Sequence, residues 1–304
     1  IRDHCVTGVQ TCALPISDRL AQAIEDRDSR LVVGIDPRLD RLPEELSGLE
    51  PEDALLRLGV GVIEAIAGEA AAVKPQIAFF ERWGWRGWRA LEGVCQKAGE
   101  QGLIVILDAK RGDIGSTASA YAEALLGDEP GTPGPHVDAL TINPYLGSDS
   151  LEPFLERVRS GGRGLYVLAR TSNPGGAEFQ KREGDADPIF LQVARTSEQW
   201  GEGSRGECGY HGVGLVVGAT HPEEISKVRE CAPGASLLIP GVGAQGGSVD
   251  DLGPAFDSRG LGALVNSSRG VVQAFEKLPG IPWQEAVQQA ARETREQLQG
   301  AIPS

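Results

Sequence analysis

Eight short apolar runs alternate with longer stretches of helical periodicity, and this alternation constrains the fold more than any other feature of the sequence. The runs lie at residues 31–36, 71–80, 103–110, 137–143, 164–170, 212–220, 235–241 and 262–268. Apolar strands that are each followed by a helix are typical of a parallel sheet covered by helices. Eight such units predict one closed (β/α)8 barrel, an α/β fold. The alternative is a doubly wound open sheet, which usually has fewer strands and a GxGxxG motif near the first.

The length and composition fit one such barrel. A chain of 304 residues leaves room for a barrel of about 250 residues with extensions. Hydrophobic residues make up 40% and charged residues 24% of the chain, as in a globular protein with a sizeable core. The sequence has no apolar run of about 18 residues. Its formal charge of -14 disfavours nucleic acid and anionic membranes as partners. An anionic substrate would therefore need a local cluster of cations.

The cysteine and histidine residues give no sign of a disulfide framework or a metal site. The five cysteines are odd in number and widely spaced, without a CxxC pair, and the four histidines form no HxH or HxxxH pair. This pattern indicates reduced thiols and a cytoplasmic protein. It also predicts that the chain builds no metal site of its own.

The first 17 residues differ from the rest of the chain. They contain two of the five cysteines, show no sustained periodicity, and lack the long apolar stretch and cleavage site of a signal peptide. They resemble translated sequencing-adapter sequence, so we expect residues 1–17 to be a non-native or disordered segment. The barrel domain would then span residues 18–304, and it would open near Ser17 or Asp18 with an amphipathic helix that has an N-cap signal.

Polar side chains concentrate where the predicted strands end. In a (β/α)8 barrel those carboxyl ends share one face, and the active sites of such enzymes lie there. The placement therefore predicts an enzyme. The residues at or just beyond a strand end are Asp36, Lys74, Asp108, Lys110, Asn143, Ser172, Gln245 and Arg269.

The segment LDAKRGDIGSTASAY, at residues 107–121, is the most informative. Asp108 and Lys110 are two positions apart on a strand, so their side chains leave it on the same side. Asp113 follows in the loop. Carboxylates around one lysine keep its ammonium group protonated and fixed in position. A merely solvated, charged loop is the alternative, and it is disfavoured because the preceding strand is wholly apolar.

Two glycine-rich loops follow the seventh and eighth predicted strands, at residues 239–247 and 265–270. Loops at these two places form the recurrent phosphate site of such barrels, where backbone N–H groups at a helix start face the anion. Arg269 can add a bidentate, charge-assisted pair to phosphate oxygens. Either loop alone is equally well explained as a turn between strand and helix, but both together predict the cation cluster that an acidic chain needs.

With these motifs the chain resembles the orotidine 5'-phosphate (OMP) decarboxylase family, in the branch with DAKRGDIGSTA. The family signature D-x-K-x-x-D-I, with a Thr three residues after the Ile, is matched by Asp108, Lys110, Asp113, Ile114 and Thr117. The motifs GIDP, VKPQ, NPYLGSD, TSNPG, PGVGAQGG and NSSRG also occur, so the resemblance covers roughly residues 18–280. It implies a cofactor-free lyase that converts OMP to UMP and carbon dioxide in de novo pyrimidine biosynthesis.

The resemblance also implies roles for individual residues. Lys110 would protonate C6 as carbon dioxide departs, Asp108 and Asp113 would flank the substrate carboxylate, and Lys74 would complete the network and contact the ribose. Asp36 would hold a ribose hydroxyl. Ser172 would lie at the pyrimidine edge, and Gln245 and Arg269 would contact the phosphate, with Gly243 and Gly247 shaping the loop. The remaining implied substrate-binding residues are Pro240 and Asn143, and for Asn143 a structural role is equally favoured.

The resemblance also implies how the protein assembles, and two alternative functions remain. In the family that this chain resembles, the enzyme is a homodimer in which Asp113, Ile114 and Thr117 reach into the neighbouring active site. The DxKxxD core is shared with sugar-phosphate decarboxylases that use magnesium, so one alternative is such an enzyme. Another is a non-catalytic phosphate-binding barrel.

Two further segments carry expectations. The loop after the fifth strand is expected to act as a lid, and the aromatic run at residues 79–88 is expected to pack a helix rather than to stack a base.

Overall fold

The strands of the protein close into a parallel barrel in the order β1 to β8. The structure is a computed structural model that describes residues 14–127, 134–182, 187–219, 222–241 and 248–302. The predicted (β/α)8 fold is confirmed, and the open sheet is wrong. The strands are β1 Leu31–Ile35, β2 Ala72–Pro75, β3 Ile104–Arg111, β4 Ala139–Ile142, β5 Gly164–Arg170, β6 His211–Val217, β7 Ala235–Pro240 and β8 Ala263–Ser267.

Helices cover the barrel, and in the described part of the chain an α-helix lies between each pair of successive strands except β7 and β8, which are joined through the 3-10 helix Asp250–Ala255. Within the described part of the chain, none of them is long and apolar enough to cross a membrane. The helices are α1 Ile16–Arg27, α2 Pro51–Ile66, α3 Ile77–Glu81, α4 Gly84–Glu100, α5 Gly115–Leu126, α6 Ser148–Gly161, α7 Ala177–Gln180, α8 Ile189–Gly201, α9 Pro222–Cys231, α10 Arg269–Val272 and α11 Trp283–Gln299.

The second predicted strand, at residues 71–80, is too long. Strand β2 ends at Pro75, and α3 begins two residues later with the side chain of Gln76 accepting a hydrogen bond from the Ala78 N–H at 3.4 Å. In the aromatic run that follows, Phe80 is buried, and Trp83 and Trp88 pack against the same core, so the expected helix packing is confirmed for them. Trp85 is exposed.

Alternate residues of each strand face the surrounding helices and the barrel interior, as the two-residue period of a strand requires. Val33 and Val265 belong to the core under the helices, whereas Val32 and Leu264 belong to the interior core. Residues at even positions of β1, β2, β3 and β8 therefore point inward. This register determines which side chains reach the carboxyl end of the barrel from inside.

Helix α1 closes the amino end of the barrel. Ile16 is buried, and its side chain lies close to Gly164 and Gly212 near the starts of β5 and β6. The helix begins at Ile16, its N-cap is Pro15 without a side-chain hydrogen bond, and Ser17 is a buried helical residue rather than a cap. Helix α1 therefore begins two residues before position 18.

Two N-terminal deletions are expected to behave differently. Removing residues 1–13 should leave the melting temperature nearly unchanged, because that segment has no periodic apolar face to dock. Removing residues 1–16 also deletes Ile16, and loss of a buried isoleucine side chain costs about 2–5 kcal/mol. In a chain of this size, that corresponds to a fall of roughly 4–20 °C. Scanning calorimetry of both variants tests this, and equal melting temperatures would contradict the assigned packing of Ile16.

Candidate active site

The carboxyl ends of the strands surround a cavity of about 410 Å³. One side is polar, and the other consists of the apolar side chains of Leu168, Val216 and Leu238 from β5, β6 and β7. The site thus combines an apolar wall with a charged wall, as a site for a flat, partly polar ring requires. Of the predicted site residues, it is lined by Asp36, Lys74, Asp108, Lys110, Ser172 and Pro240.

Asp108 is the centre of the charged wall. Its side chain is 10% exposed, and its Oδ2 lies 2.9 Å from the Lys74 Nζ. Its Oδ1 accepts hydrogen bonds from the Lys110 Nζ at 2.5 Å and from the Thr141 hydroxyl at 3.0 Å. The carboxylate thereby fixes both ammonium groups. The Lys74 side chain is 7% exposed and that of Lys110 is 47% exposed, so Lys110 is the cation that is more accessible from the cavity.

Lys110 reaches this position through a break in the regular strand. It has a φ of 49°, which is uncommon for a residue other than glycine, and the pairing of β3 with β4 shifts between Leu107 and Arg111. The Thr141 Oγ1 accepts the N–H groups of Ala109 and Lys110 at 3.0 and 2.9 Å. The predicted meeting of Asp108 and Lys110 is therefore present, but Thr141 and the irregular backbone produce it, not a flat strand.

The two lysines keep the Asp108 carboxyl group ionised. Burial favours its neutral form, but the ammonium groups of Lys74 and Lys110 outweigh burial and lower its pKa to about 2. A carboxyl group with a lowered pKa stabilises the folded state above its unfolded pKa, and this contribution is lost as the pH falls through the folded value. Lys74, Asp108 and Lys110 thus form an alternating array of two cations around one anion, and the carboxylate of Asp36 lines the same cavity.

A second cavity of about 730 Å³ adjoins the first, and Asp36, Gly241, Asn266 and Ser268 line both. Arg269 lines the second cavity at the start of α10, and its side chain is exposed. Among the described residues, no ion pair or hydrogen bond engages its guanidinium group. The arginine predicted to bind phosphate is thus available to an anion next to the charged cluster.

A family model described as "Orotidine 5'-phosphate decarboxylase / HUMPS family" matches residues 29–278. The chain belongs to this family. A curated orotidine 5'-phosphate decarboxylase from Rhodopirellula baltica is 43% identical, with 94% of this chain and 100% of the relative covered. One from Deinococcus radiodurans is also 43% identical, covering 93% of this chain and 97% of the relative. A solved structure of a putative orotidine 5'-phosphate decarboxylase from Streptomyces avermitilis is 38% identical, with a TM-score of 0.82 and coverages of 97% and 98%.

Three residues of the family signature lie away from both cavities. The Asp113 Oδ1 accepts the N–H of Ile114 at 2.8 Å, and in the described part of the chain Asp113 makes no ion pair with Lys110. Ile114 is 58% exposed, and Thr117 is also exposed. One chain therefore brings together Lys74, Asp108 and Lys110, but it leaves Asp113 outside this cluster.

The remaining predicted residues fall into two groups. Asn143 is exposed and lies outside the cavity linings, and its Oδ1 accepts the N–H of Tyr145 at 3.0 Å, which fits the structural alternative. Gly243, Gln245 and Gly247 lie outside the described residues. Their assignment to the phosphate stays a prediction.

Sequence reasoning missed two interior residues, Thr141 and Asn266. Both lie at the top of strands whose other interior positions are apolar, Thr141 on β4 and Asn266 on β8. A polar residue at an inward position of a barrel strand is the signal that could have identified them. Charged residues and motifs at the strand ends do not reveal this signal.

The loop after β5 is fixed to the barrel at both ends of its described part. Arg170, the last residue of β5, and Lys181, just after α7, form ion pairs with the buried Glu224 of α9, each at 2.7 Å. The Gln180 side chain also accepts the Thr171 N–H at 2.9 Å. Ser172 and Asn173 at the start of this loop line the first cavity. The loop that is predicted to act as a lid thus begins at the first cavity, and ion pairs attach its described residues to α9.

Proposed function

We propose that this chain decarboxylates OMP to UMP and carbon dioxide in de novo pyrimidine biosynthesis, with Lys110 as the proton donor to C6. The observation on which this depends is the Lys110 ammonium group, held 2.5 Å from the buried Asp108 carboxylate at a cavity that adjoins Arg269. Membership of the family and the names of the curated relatives support the substrate. A biosynthetic role fits a cytoplasmic location.

The chemistry requires a cation at the reacting carbon. When the bond between C6 and the carboxylate breaks, the electron pair stays on C6 in an sp2 orbital, and carbon dioxide leaves. A preorganised ammonium group stabilises the developing carbanion more than water would, because it needs no reorganisation during the reaction. Lys110 then transfers one proton to C6 and regains a proton from solvent. Asp108 and Lys74 keep Lys110 in position for both steps.

The two cavities match the two ends of the nucleotide. The apolar wall of Leu168, Val216 and Leu238 would pack against the pyrimidine, with Ser172 at its edge. Arg269 would bind the phosphate, which is remote from the bond that breaks. Binding energy from such a remote group can hold the reacting carbon against Lys110.

The direct experiment is the loss of OMP absorbance in the presence of the purified protein, with and without EDTA. We expect turnover that EDTA leaves unchanged. A magnesium-dependent sugar-phosphate decarboxylase would leave OMP intact, and a non-catalytic barrel would bind UMP without turnover. Either result would contradict the proposal.

We also propose that the enzyme is a homodimer with shared active sites. Ile114 and Thr117 are exposed in the segment that follows β3, and Asp113 next to them is half-buried. Tyr145 and Leu146, in the loop after the neighbouring β4, are 84% and 48% exposed. Exposed apolar side chains on adjacent loops favour an interface there. In a two-fold dimer, each Asp113 would complete the charged cluster of the other subunit.

Arg269→Ala is expected to lower kcat/KM for OMP about ten- to a hundredfold, because it removes a charged hydrogen bond of roughly 1.5–3 kcal/mol. Arg195→Ala is the control, since Arg195 is an exposed arginine of α8 that lines neither cavity. Excess guanidinium should partly restore the Arg269→Ala variant and not affect the control. If the native protein bound uridine as tightly as UMP, the phosphate assignment would be wrong.

A further inference from the structure

Asn266 occupies an inward position at the top of β8. It pairs with Val32 of β1 and Pro240 of β7, and it follows the interior residue Leu264 by two positions. Only 8% of Asn266 is exposed. Its side chain is thus part of the inner wall of the barrel, and it lines both cavities, the first of which also contains the charged cluster.

Among the described residues, the amide nitrogen of Asn266 has a hydrogen-bond partner and the amide oxygen has none. The Nδ2 donates to the Ser268 Oγ at 3.3 Å, whereas the Oδ1 is buried without a hydrogen bond to any described residue. Buried side-chain oxygens in native proteins are nearly always hydrogen-bonded, and an unpaired one destabilises the protein. An unpaired acceptor at the wall of a cavity therefore indicates a ligand that supplies a donor.

Gly34, on the neighbouring strand β1, leaves this amide free. A Cβ atom at position 34 would lie 1.9 Å from the Ser268 Oγ and 3.1 Å from the Asn266 Oδ1. Any side chain at this position would displace Ser268 and crowd Asn266. The glycine of the GIDP motif therefore preserves the space and the orientation of the Asn266 side chain.

A second unpaired acceptor lies at the same junction. The Asp36 Oδ1 is also buried without a hydrogen bond in the described part of the chain, and Asp36 lines both cavities. On one side of the junction lies Lys110, where the base would react, and on the other lies Arg269, where the phosphate would bind. The part of a nucleotide between base and phosphate is the ribose, and its 2'- and 3'-hydroxyl groups are two donors for two acceptors.

We propose that Asn266 is a ribose-binding residue whose Oδ1 accepts a hydrogen bond from the 2'- or the 3'-hydroxyl of the substrate. It acts beside Asp36 and selects ribonucleotides over a deoxynucleotide that lacks that hydroxyl. This inference rests on the proposed function, because it takes OMP as the substrate.

The test compares OMP with 2'-deoxy-OMP and 3'-deoxy-OMP as substrates of the native protein and of Asn266→Ala. Loss of one neutral hydrogen bond should lower kcat/KM for OMP about three- to tenfold. For the deoxy substrate that lacks the bonded hydroxyl, native and variant proteins should agree within about twofold, because the contact is already absent. A purely structural role would lower the value for all three substrates by the same factor.

The control is Ser236→Ala, which removes a buried interior hydroxyl of β7 that lines neither of these cavities. It should leave the ratios among the three substrates unchanged. Asn266→Ser, whose hydroxyl is too short to reach the ribose, replaces the alanine variant if that does not fold. Equal losses for all three substrates, or no loss with OMP, would overturn the role of Asn266 while OMP turnover by the native protein stands. Absence of native OMP turnover would overturn the proposed function itself, and this inference with it.

Discussion

Lys110→Ala is expected to lower kcat for OMP by at least about 10²- to 10⁴-fold, the range for loss of a positioned general acid. Loss of the cation beside C6 should add to this, because the developing carbanion loses its preorganised partner. Binding of UMP should persist, since the product has no carboxylate at C6 and would keep the contacts proposed for Asp36 and Arg269. The effect should therefore appear in kcat rather than in nucleotide affinity.

Rapid-quench turnover of OMP measures kcat, and calorimetric titration with UMP measures nucleotide affinity separately. The fold should survive the substitution, because Asp108 keeps its ion pair with Lys74 and its hydrogen bond from Thr141. Lys97→Ala is a matched control, since Lys97 lies on α4 in an ion pair with Glu64 and lines neither cavity. A Lys110→Ala protein that retained near-native kcat would eliminate the assigned role.

The fold could be predicted because a barrel strand has two apolar faces. Val33 packs under the helices and Val32 fills the interior, so both sides of β1 read as apolar in the sequence. The limits of the strands were less predictable. Residues 77–80 are apolar like β2, but they belong to α3, whose N-cap is Gln76.

The charged cluster was predictable only in part. Asp108 and Lys110 are adjacent in sequence and lie at a strand end, so their meeting follows from local geometry. The contribution of Thr141 depends on the register of β3 against β4, which shifts after Leu107, and no local pattern encodes that shift. The free oxygen of Asn266 likewise depends on Gly34 from the other end of the chain. Contacts between segments that are distant in sequence therefore determine both the role of Thr141 and the free oxygen of Asn266.

Asp113 illustrates a different limit. The signature places it three residues from Lys110, yet these residues of one chain do not meet, because the chain leaves β3 and starts α5 at Gly115. A sequence motif records that residues serve one site, but not which subunit supplies each of them. The exposure of Ile114 and Thr117 next to Asp113 fits a contribution to a neighbouring site.

A mixture of two inactive homodimers is expected to regain activity if the sites are shared. Lys110→Ala removes the proton donor from a subunit's own site, whereas Asp113→Ala removes a carboxylate from its neighbour's site. In a hybrid dimer, one site receives both lesions and the other combines native Lys110 with native Asp113. Random exchange of an equal mixture makes about half of the dimers hybrid, so roughly a quarter of all sites should regain native composition.

The two variant proteins are each assayed alone, then mixed, allowed to exchange subunits, and assayed again for OMP turnover. Native mass spectrometry measures the fraction of hybrid dimers, so the recovered kcat can be compared with the number of restored sites. A mixture of Lys110→Ala with Asp108→Ala is the matched control, because both residues belong to one subunit's own cavity and every site of that hybrid keeps one lesion. Recovery in the first mixture alone requires Asp113 to act across the interface. Confirmed hybrids without recovery would rule out the shared site, and the place of Asp113 in the family signature would then need another explanation.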